Sequence, residues 1–413
     1  MSAFVVVVFC LVYLGMILGG MPFLSLDRTG IALLGAITLL AVRDLTLQDA
    51  AEAVHLPTII LLFAFMVVSA QLRLSGFYAR VTVQLAALPL TPPLLLGVMI
   101  LAVAGLSAVF SNDIVCLAVA PVLIDACRER RLRPLPFLLG LACAANIGSA
   151  LTLIGNPQNM LIGEKLRLSF PGYLTEAAVP VALGLAATWG IIALQTHGKW
   201  VHAGAAEEAT RERRGESIPF DRWQTTKGLT VATVIFFAFL FAPWPREIVA
   251  LTGAGVLLLS RRLHSRHMLG LVDWQLLILF IGLFVVNHAL QETGVPDRVV
   301  DDLAQAGVSL ADPAILFAVT FVLSNLVSNV PAVMLLLPVA THALAGPVLA
   351  LSSTLAGNLL LVGSIANLIV ADAAERHGIA FDWHRHARTG VPVTLVTLAI
   401  AGGWLWLRMR GSA

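Results

Sequence analysis

Long apolar runs recur along the whole length of this chain of 413 residues. Examples are residues 3–21, 57–71, 94–110, 176–195, 228–241 and 391–407. Most of them approach the roughly 20 residues that an α-helix needs to cross a bilayer. Only 12% of the residues are charged, against about 25% in a typical soluble domain. The runs therefore predict a multi-pass, all-α membrane protein whose main partner is the lipid bilayer, because only helices or closed barrels satisfy backbone groups in lipid.

The chain repeats itself in the same order with nearly constant spacing. Ser111-Asn112 and Pro121 recur as Ser328-Asn329 and Pro338. The other matching pairs are Ile31–Ala36 with Val249–Ala254, Ile60–Phe63 with Leu277–Phe280, Asn146 with Asn358, and Val179–Val181 with Val391–Val393. Any single match is common in apolar sequence, but five anchors at a shared spacing indicate duplication, which is typical of transporters. We predict a first transmembrane repeat at 1–196, a cytoplasmic linker at 197–227 and a second transmembrane repeat at 228–413.

The pattern of each half indicates three helices, a re-entrant hairpin, a broken helix and a final helix. Five crossings per half make the second repeat inverted, because an odd number of crossings puts equivalent loops on opposite sides. The arginines fit this arrangement, since the loop at 128–133 holds four and its counterpart at 341–348 holds none. Loops rich in Lys and Arg stay in the cytoplasm. We therefore predict a cytoplasmic linker, both termini outside, and a location in the bacterial inner membrane.

Polar residues interrupt two of the apolar runs at matching places. Residues 110–114 (Phe-Ser-Asn-Asp-Ile) and 327–331 (Val-Ser-Asn-Val-Pro) each lie in the middle of a run. Asn and Asp favour helix N-caps, and Pro is tolerated in a first helical turn. Polar groups at membrane depth are costly and mark functional sites. We predict two hairpin tips that place four candidate substrate-binding residues near the middle of the membrane: Ser111, Asn112, Ser328 and Asn329.

A second pair of polar segments follows the tips. One runs from Asn146 to Asn159, and the other from Asn358 to Asn367. Pro157 removes a backbone donor and should break its helix, and glycine at positions 155 and 363 permits unusual dihedral angles or close approach. We predict a broken helix in each repeat. The candidate substrate-binding residues are Asn146, Gly155, Asn156 and Asn159 in the first break, and Gly363, Ser364 and Asn367 in the second.

In this fold, four helix N-termini with amide and hydroxyl side chains would converge. Helix N-termini carry partial positive charge and free N–H donors, which suits an anion or a neutral solute that accepts hydrogen bonds. Carbonyl groups freed by the breaks suit a cation. The alternative is that the amides only bridge helices without touching a solute. The repeat register of all four segments favours a substrate site.

Asp113 is the only acidic residue that this arrangement places deep in the membrane, and its repeat partner is Val330. Burial disfavours the charged form of a carboxylate, which permits proton exchange. Asp113 is therefore a candidate ion-coupling residue for a proton or another cation. The alternative is an N-cap carboxylate that backbone N–H groups hold in its ionised form.

The remaining polar residues indicate no further chemistry. The cysteines lack paired spacing, which predicts small buried side chains rather than disulfides or a metal site; they are Cys10, Cys116, Cys127 and Cys143. Two pairs of histidines fall in loops with arginines and are interpreted as solvated; they are His264, His267, His384 and His386. Asn287 and His288 are candidates to line a vestibule. The chain contains no HExxH or GxSxG motif and no paired intramembrane acids. We therefore predict no enzyme, and we expect no cofactor and no nucleic-acid partner.

The polar segments resemble those of the ion transporter superfamily, and the resemblance covers nearly the full chain. That superfamily includes divalent-anion/sodium symporters, arsenite efflux pumps and some sodium/proton antiporters. Its members share an inverted repeat with Ser-Asn hairpin tips and broken helices around the substrate. The dicarboxylate branch has Ser-Asn-Thr at both tips, where this chain has Asp113 and Val330 in place of threonine. The Asn-Asp tip and the Asn-x-Pro tip look more like the arsenite-pump branch. The resemblance also implies a homodimer.

The sequence favours a secondary transporter that works by alternating access, is coupled to protons, and exports a small oxyanion or metalloid acid such as arsenite. No Lys or Arg falls in the predicted site, which favours a neutral or weakly charged solute over a multiply charged anion. Coupled uptake of a carboxylate or inorganic anion, driven by sodium or protons, stays open as an alternative, as does sodium/proton exchange. A channel is the rival outside carriers, but discontinuous helices in a two-fold repeat favour a carrier.

Overall fold

The computed structural model of the protein describes residues 2–20, 24–42, 45–201 and 219–411. Within these ranges the chain forms twenty α-helices, two short 3₁₀ turns and only isolated β-bridges. Most of the predicted linker, residues 202–218, lies outside the described residues. The helix that follows it already begins at Arg222, before the expected start of the second repeat at 228.

The helices fall into two sets of ten in the same order. The first set is α1 Ser2–Leu18, α2 Arg28–Ala41, α3 Leu47–Ala53, α4 Leu56–Leu74, α5 Phe77–Ala86, α6 Pro92–Val109, α7 Asn112–Glu129, α8 Pro134–Ser149, α9 Pro157–Lys165 and α10 Phe170–Gln195. The second set is α11 Arg222–Phe241, α12 Arg246–Leu258, α13 Ser265–Leu269, α14 Trp274–Glu292, α15 Val295–Gln305, α16 Pro313–Val327, α17 Asn329–Leu336, α18 Ala345–Ala356, α19 Ile365–Arg376 and α20 Trp383–Gly411.

The local structure confirms the duplication that the sequence predicted. Each repeat also contains two short helices beyond those predicted from the sequence, α3 and α5 in the first and α13 and α15 in the second. Gly76 precedes α5 and Gly294 precedes α15, and both adopt left-handed backbone with φ of 74° and 66°. A side chain is disfavoured in that conformation. The same turn has therefore been kept in both copies.

Helix ends are set by local capping. Asp27 accepts from Gly30 N at 2.8 Å at the start of α2, and Asp273 accepts from Leu276 N at 2.9 Å at the start of α14. Thr46 and Asp49 form a capping box at the start of α3. These side chains satisfy N–H groups that the first turn of a helix leaves without partners. These three acidic residues therefore stand at the starts of their helices.

Two groups of helices can be separated by their packing. The framework helices are α1, α2, α4, α11, α12 and α14, and the site helices are α6–α10 and α16–α20. In the framework, α2 packs against α14 and α4 packs against α12. Helix α2 of the first repeat corresponds to α12 of the second, and α4 corresponds to α14. Exchanging the repeats therefore turns one of these helix pairs into the other, as a two-fold relation between inverted repeats requires.

Gly282 lets α14 lie directly on the backbone of Ala32, since a Cβ at position 282 would be 2.8 Å from the Ala32 carbonyl carbon. Such small residues allow close helix packing in membranes.

The first hairpin consists of α6 and α7, and contacts of Arg130 hold its two open ends together. Arg130, which follows α7, donates to the carbonyl oxygens of Ala86 at 2.7 Å, Leu88 at 2.9 Å and Leu90 at 2.9 Å, all just before α6. The two open ends of the hairpin therefore lie together, and its tip is formed by Phe110, Ser111 and Asn112, between the end of α6 and the first turn of α7.

The matching prolines have different effects in the two hairpins. Helix α7 continues past Pro121 to Glu129, whereas α17 ends at Leu336 and passes into a 3₁₀ turn that contains Pro338. Pro removes one backbone donor in both places. The second hairpin therefore has a shorter returning helix, and the repeats are not equivalent in the structure.

Six of the described helices are long and apolar enough to cross a membrane; they are α4, α6, α10, α11, α14 and α20. The broken helices α8/α9 and α18/α19 consist of shorter segments. The predicted fold class, an all-α membrane protein with two repeats and breaks in matching helices, is confirmed.

Candidate functional site

Asn146, in the last turn of α8, is the centre of a buried hydrogen-bond cluster that joins the two repeats. Its Nδ2 donates to Asn358 Oδ1 at 2.8 Å and to Asn367 Oδ1 at 3.1 Å. Its Oδ1 accepts from Asn112 Nδ2 at 3.1 Å and from Ser364 Oγ at 2.8 Å. One amide therefore satisfies four polar groups, from the first hairpin tip and the second break. We call these five residues the asparagine cluster.

A second cluster surrounds Thr354 of α18. Thr354 Oγ1 accepts from Asn156 Nδ2 and from Gln158 Nε2, both at 3.2 Å, and donates to Asn159 Oδ1 at 3.4 Å. Asn156 Nδ2 also donates to Ser149 Oγ at 3.0 Å, and Ser149 Oγ donates to the Asn146 carbonyl at 2.8 Å. We call Ser149, Asn156, Gln158, Asn159 and Thr354 the threonine cluster. It joins the first break to the second repeat and continues into the asparagine cluster.

The helices that follow the breaks are capped by predicted site residues. Asn156 Oδ1 accepts from Asn159 N at 2.9 Å at the start of α9, and Ser364 Oγ accepts from Ala366 N at 3.2 Å at the start of α19. The sequence predicts free N–H donors at all four N-termini. At α9 and α19, one of these N–H groups already donates a hydrogen bond to a side chain of the protein itself. The serines at the two hairpin tips make no such cap.

Each hairpin tip leaves one buried amide oxygen without a partner among the described residues. These atoms are Asn112 Oδ1 and Asn329 Oδ1. Asn112 N reaches the Gly155 carbonyl at 3.4 Å, which places the first tip against the first break. Asn329 Nδ2 lies 3.3 Å from the position of a Cβ on Gly357, in the second break. Buried acceptors without donors are costly and call for an explanation. Both of these oxygens could accept a hydrogen bond from a solute or coordinate a cation.

The two tips differ in backbone strain. Ser328 has φ 79° and ψ 160°, whereas Ser111 has φ −55° and ψ 124°. The Ser328 conformation is almost confined to glycine and costs on the order of 1–3 kcal/mol. Strain of this kind collects at ligand clamps and switch regions.

Asp113 lies in the first turn of α7, beside the first tip, and its side chain is half-buried. No described residue donates a hydrogen bond to its carboxylate or forms an ion pair with it. Its neighbour Asn112 instead faces Asn146. The alternative of a carboxylate fixed by backbone N–H groups is therefore not supported by its contacts.

Glycine at the breaks permits close approach of the backbone. A Cβ on Gly155 would lie 2.3 Å from the Ser149 carbonyl oxygen and 2.8 Å from that of Ser107. A Cβ on Gly363 would lie 3.2 Å from the Gly357 carbonyl oxygen. Gly155 is the more demanding position, because the backbone atoms around it cannot move aside as a flexible side chain can.

Replacing Gly155 by alanine is expected to displace the first break and to lower stability by about 1–3 kcal/mol, as overpacking does. Transport should fall with it, because Gly155 lies against Asn112. The matched control is Gly105→Ala in α6, where a Cβ would have no atom of the described residues within 4 Å. Melting temperature in detergent and transport per folded molecule would be measured for both. Equal behaviour of the two variants would contradict the close approach at Gly155.

The structure brings most of the predicted site residues together. Asn112, Asn146, Ser364 and Asn367 share the asparagine cluster, and Asn156 and Asn159 share the threonine cluster. Gly155 lies against the backbone of Ser149, and both Asn329 and Gly363 lie against Gly357. Ser111 and Ser328 stand at the tips without a side-chain cap.

Sequence reasoning missed several residues that belong to the two clusters or contact them. Asn358 was visible as the repeat partner of Asn146, but Thr354 and Gln158 carried no motif. Tyr173 was also missed: its hydroxyl donates to the Ala150 carbonyl at 2.7 Å and accepts from Asn159 Nδ2 at 3.2 Å. It lies in the first turn of α10, the last helix of the first repeat, so a polar aromatic residue in that turn was the available signal.

Three interpretations of single residues were wrong. His386 is fully buried rather than solvated, and its Nε2 lies 3.0 Å from the Asn358 carbonyl oxygen. Asn287 does not line a vestibule, because it is buried and accepts from Tyr13 Oη at 3.0 Å. Cys10 is exposed on α1, while the other three cysteines are buried as predicted.

The sequence is similar to a known transporter family and to several individual membrane proteins. A sequence model of the citrate transporter family matches residues 5–348. An uncharacterized transporter of Mycobacterium tuberculosis is 30% identical over 85% of this chain and 86% of its own. A silicon efflux transporter of Oryza sativa is 29% identical over 92% of both chains. An inner membrane protein of Escherichia coli is 30% identical over 83% of this chain and 86% of its own.

The fold is similar to one found in a crystal structure. The YdaH transporter of Alcanivorax borkumensis, whose topology is described as unusual, superposes with a TM-score of 0.60. The match covers 99% of this chain and 98% of that one, at 13% sequence identity. The likeness therefore concerns the arrangement of the helices.

Proposed function

The chain belongs to the citrate transporter family, and we propose that it is a proton-coupled secondary transporter that exports a small oxyanion or metalloid acid such as arsenite. The observation that carries this proposal is the pair of buried amide oxygens at the hairpin tips, Asn112 Oδ1 and Asn329 Oδ1. These oxygens can only accept. A solute that bears hydroxyl groups, as an undissociated metalloid acid does, would satisfy both of them.

The charge of the site supports the same class of solute. The asparagine and threonine clusters consist of amides and hydroxyls, with no Lys or Arg among them. A multiply charged anion buried there would lack a counter-charge, and burying an uncompensated charge is costly. A neutral acid avoids that cost. The silicon efflux transporter of rice, whose name refers to another element that forms a weak hydroxylated acid, is consistent with this choice.

The helix breaks and the hairpin tips support a mechanism of alternating access. The asparagine cluster holds elements of both repeats around one residue, and the strained Ser328 lies at only one of the two tips. A hairpin whose tip ends at this cluster, with its open ends on one side, would be re-entrant. Asp113 would carry the coupling proton. We place the protein in a bacterial inner membrane, with both termini outside, and propose that it forms a homodimer.

A second candidate function is coupled uptake of a carboxylate or inorganic anion. The description of the family as citrate transporters favours it. It would need donors or a bound cation to balance the charge of the solute, and the two tip oxygens, Asn112 Oδ1 and Asn329 Oδ1, could coordinate sodium. Sodium/proton exchange would use the same oxygens and Asp113 without an organic solute.

Purified protein in liposomes distinguishes these candidates. Arsenite, silicic acid and citrate would be offered separately under a pH step or a sodium step, with empty liposomes as the control. We expect movement of arsenite that accelerates with the pH step and saturates with concentration. Citrate uptake driven by sodium would overturn the proposal in favour of the second candidate. Flux that never saturates would indicate a channel.

A further inference from the structure

Two residues on one face of α20 contact the same backbone carbonyl in the second break. His386 Nε2 lies 3.0 Å from the Asn358 oxygen, and a Cβ on Gly390 would lie 2.3 Å from that oxygen. Residues four apart face the same way on a helix. His386 therefore supplies a hydrogen-bond donor to the Asn358 carbonyl. Because Gly390 has no side chain, α20 can approach this carbonyl closely enough for the bond to form.

The Asn358 carbonyl belongs to the backbone that carries part of the asparagine cluster. It follows the end of α18, where carbonyl groups lose their helical donors. The side chain of the same residue accepts from Asn146 Nδ2 at 2.8 Å, and its own Nδ2 donates to the Cys143 carbonyl at 3.5 Å. Any shift of this carbonyl would therefore move one of the two acceptors that orient Asn146.

The contact fixes the tautomer of His386. A carbonyl oxygen only accepts, so Nε2 must carry the hydrogen. Nδ1 is then a buried acceptor, and it has no partner among the described residues. Leaving a buried polar atom unpaired costs about 1–3 kcal/mol. Packing alone would be served better by an apolar side chain, so the Nε2 donor is the feature that explains a histidine at this position.

The first repeat contains a corresponding contact. Tyr173, in the first turn of α10, donates to the Ala150 carbonyl at 2.7 Å, just after the end of α8. In both repeats, the last helix therefore gives a side-chain donor to a carbonyl that the break has freed. The two donors are chemically different, and neither touches the unpaired tip oxygens.

We infer that His386 is a positioning residue, which holds the Asn358 backbone so that the asparagine cluster presents its amides to the solute. The inference rests on the proposed function only in assigning that cluster to solute binding. The positioning itself is a property of the fold and can be measured without transport.

Three substitutions separate a donor role from a space-filling role. The amide nitrogen of glutamine reaches the place of Nε2, whereas that of asparagine reaches only the place of Nδ1. We expect His386→Gln to transport arsenite with a KM within about twofold of the parent. His386→Asn and His386→Leu should raise KM by about tenfold, since a net hydrogen bond is worth about 0.5–1.5 kcal/mol. The maximal rate should change less, because the coupling carboxylate is untouched. Wild-type KM in His386→Leu would overturn the inference.

Hydrogen exchange tests the same inference without a substrate. Amides in residues 357–364 should exchange faster in His386→Asn and His386→Leu than in the parent, and Gln should restore the parent rate. Tyr173→Phe is the matched control, with faster exchange expected in residues 150–156 instead. Unchanged exchange in all three His386 variants would overturn the inference even if arsenite is transported. Faster exchange with no arsenite transport would support the positioning role and reject the proposed substrate.

Gly390→Ala tests the close approach separately, with the histidine intact. We expect faster exchange at 357–364 and a raised KM, because the added methyl would push the Asn358 carbonyl away. Gly403→Ala in the same helix is the control, since a Cβ there would meet none of the described part of the chain within 4 Å. Equal exchange in the two glycine variants would count against the contact.

Discussion

Transport is expected to fall by about 100-fold when Asn146 is replaced by alanine. The change leaves four buried groups without their partner, namely Asn112 Nδ2, Asn358 Oδ1, Asn367 Oδ1 and Ser364 Oγ. Each unpaired buried group costs about 1–3 kcal/mol, and about 2.7 kcal/mol corresponds to a factor of 100. Since these groups come from both repeats, the tip and the breaks should lose their register.

The measurement must distinguish a loss of transport by folded protein from a loss of folded protein. Transport in liposomes would be normalised to the folded fraction, determined by size-exclusion chromatography. Gln71→Leu is the matched control, because Gln71 is also a buried amide that joins the repeats and donates twice to Gln224, at 2.9 Å each. It connects framework helices α4 and α11. We expect this control to lose stability but to keep transport per folded molecule.

An isosteric change refines the same prediction. Asn146→Asp keeps the shape and the acceptor for Asn112 and Ser364 but removes both donors to Asn358 and Asn367. It would place carboxylate oxygens against two amide oxygens, so we expect it to be nearly as inactive as alanine. Full transport in either Asn146 variant would show that the asparagine cluster is not part of the transport site.

Asp113→Asn is expected to abolish the response to a pH gradient while leaving exchange of solute in place. The carboxylate is half-buried next to the first tip, with no hydrogen bond or ion pair from any described residue. A group in that setting can take up and release a proton, whereas an amide cannot. For one proton per cycle, a gradient of one pH unit supports about tenfold accumulation, equal to about 1.4 kcal/mol. The variant should show no accumulation, since its charge cannot change.

Accumulation in liposomes at a series of imposed pH gradients provides the measurement, together with solute exchange without a gradient. Asp125→Asn is the control, because Asp125 is an exposed acid in the same helix. It should behave like the parent. Undiminished pH-driven accumulation in Asp113→Asn would remove the coupling role from this carboxylate, and dependence on sodium alone would transfer coupling to a different ion.

Much of the site could be predicted because its signals are local. Asparagine, glycine and proline in the middle of an apolar run break a helix wherever the rest of the chain lies. The duplicated segments at residues 111–113 and 328–330 supplied a second, independent reason to place breaks there. Capping by Asn156 and Ser364 also follows from neighbours two or three residues away.

The contacts of these residues could not be predicted in the same way. Thr354 lies in the last turn of the apolar helix α18, where hydroxyls commonly bond to their own backbone. Its hydroxyl oxygen instead accepts hydrogen bonds from two amide side chains of the first repeat. His386 follows Arg385 in a charged segment and was interpreted as solvated, but it is buried because α20 packs against the second break. Both outcomes depend on which helix lies opposite.

The sequence by itself determined that this protein is helical, spans a membrane, is duplicated, and breaks its helices at four matching places. The reason is that lipid offers no hydrogen bonds, so apolar length and helix-breaking residues act locally and without competition from solvent. Only the tertiary structure decided that Asn146 is the central amide and that His386 reaches the Asn358 carbonyl of the second break. It also decided that each hairpin tip has an amide oxygen with no partner among the described residues. Those facts depend on hydrogen bonds between residues as far as 221 positions apart along the chain, and their partners are set by how the two repeats pack together.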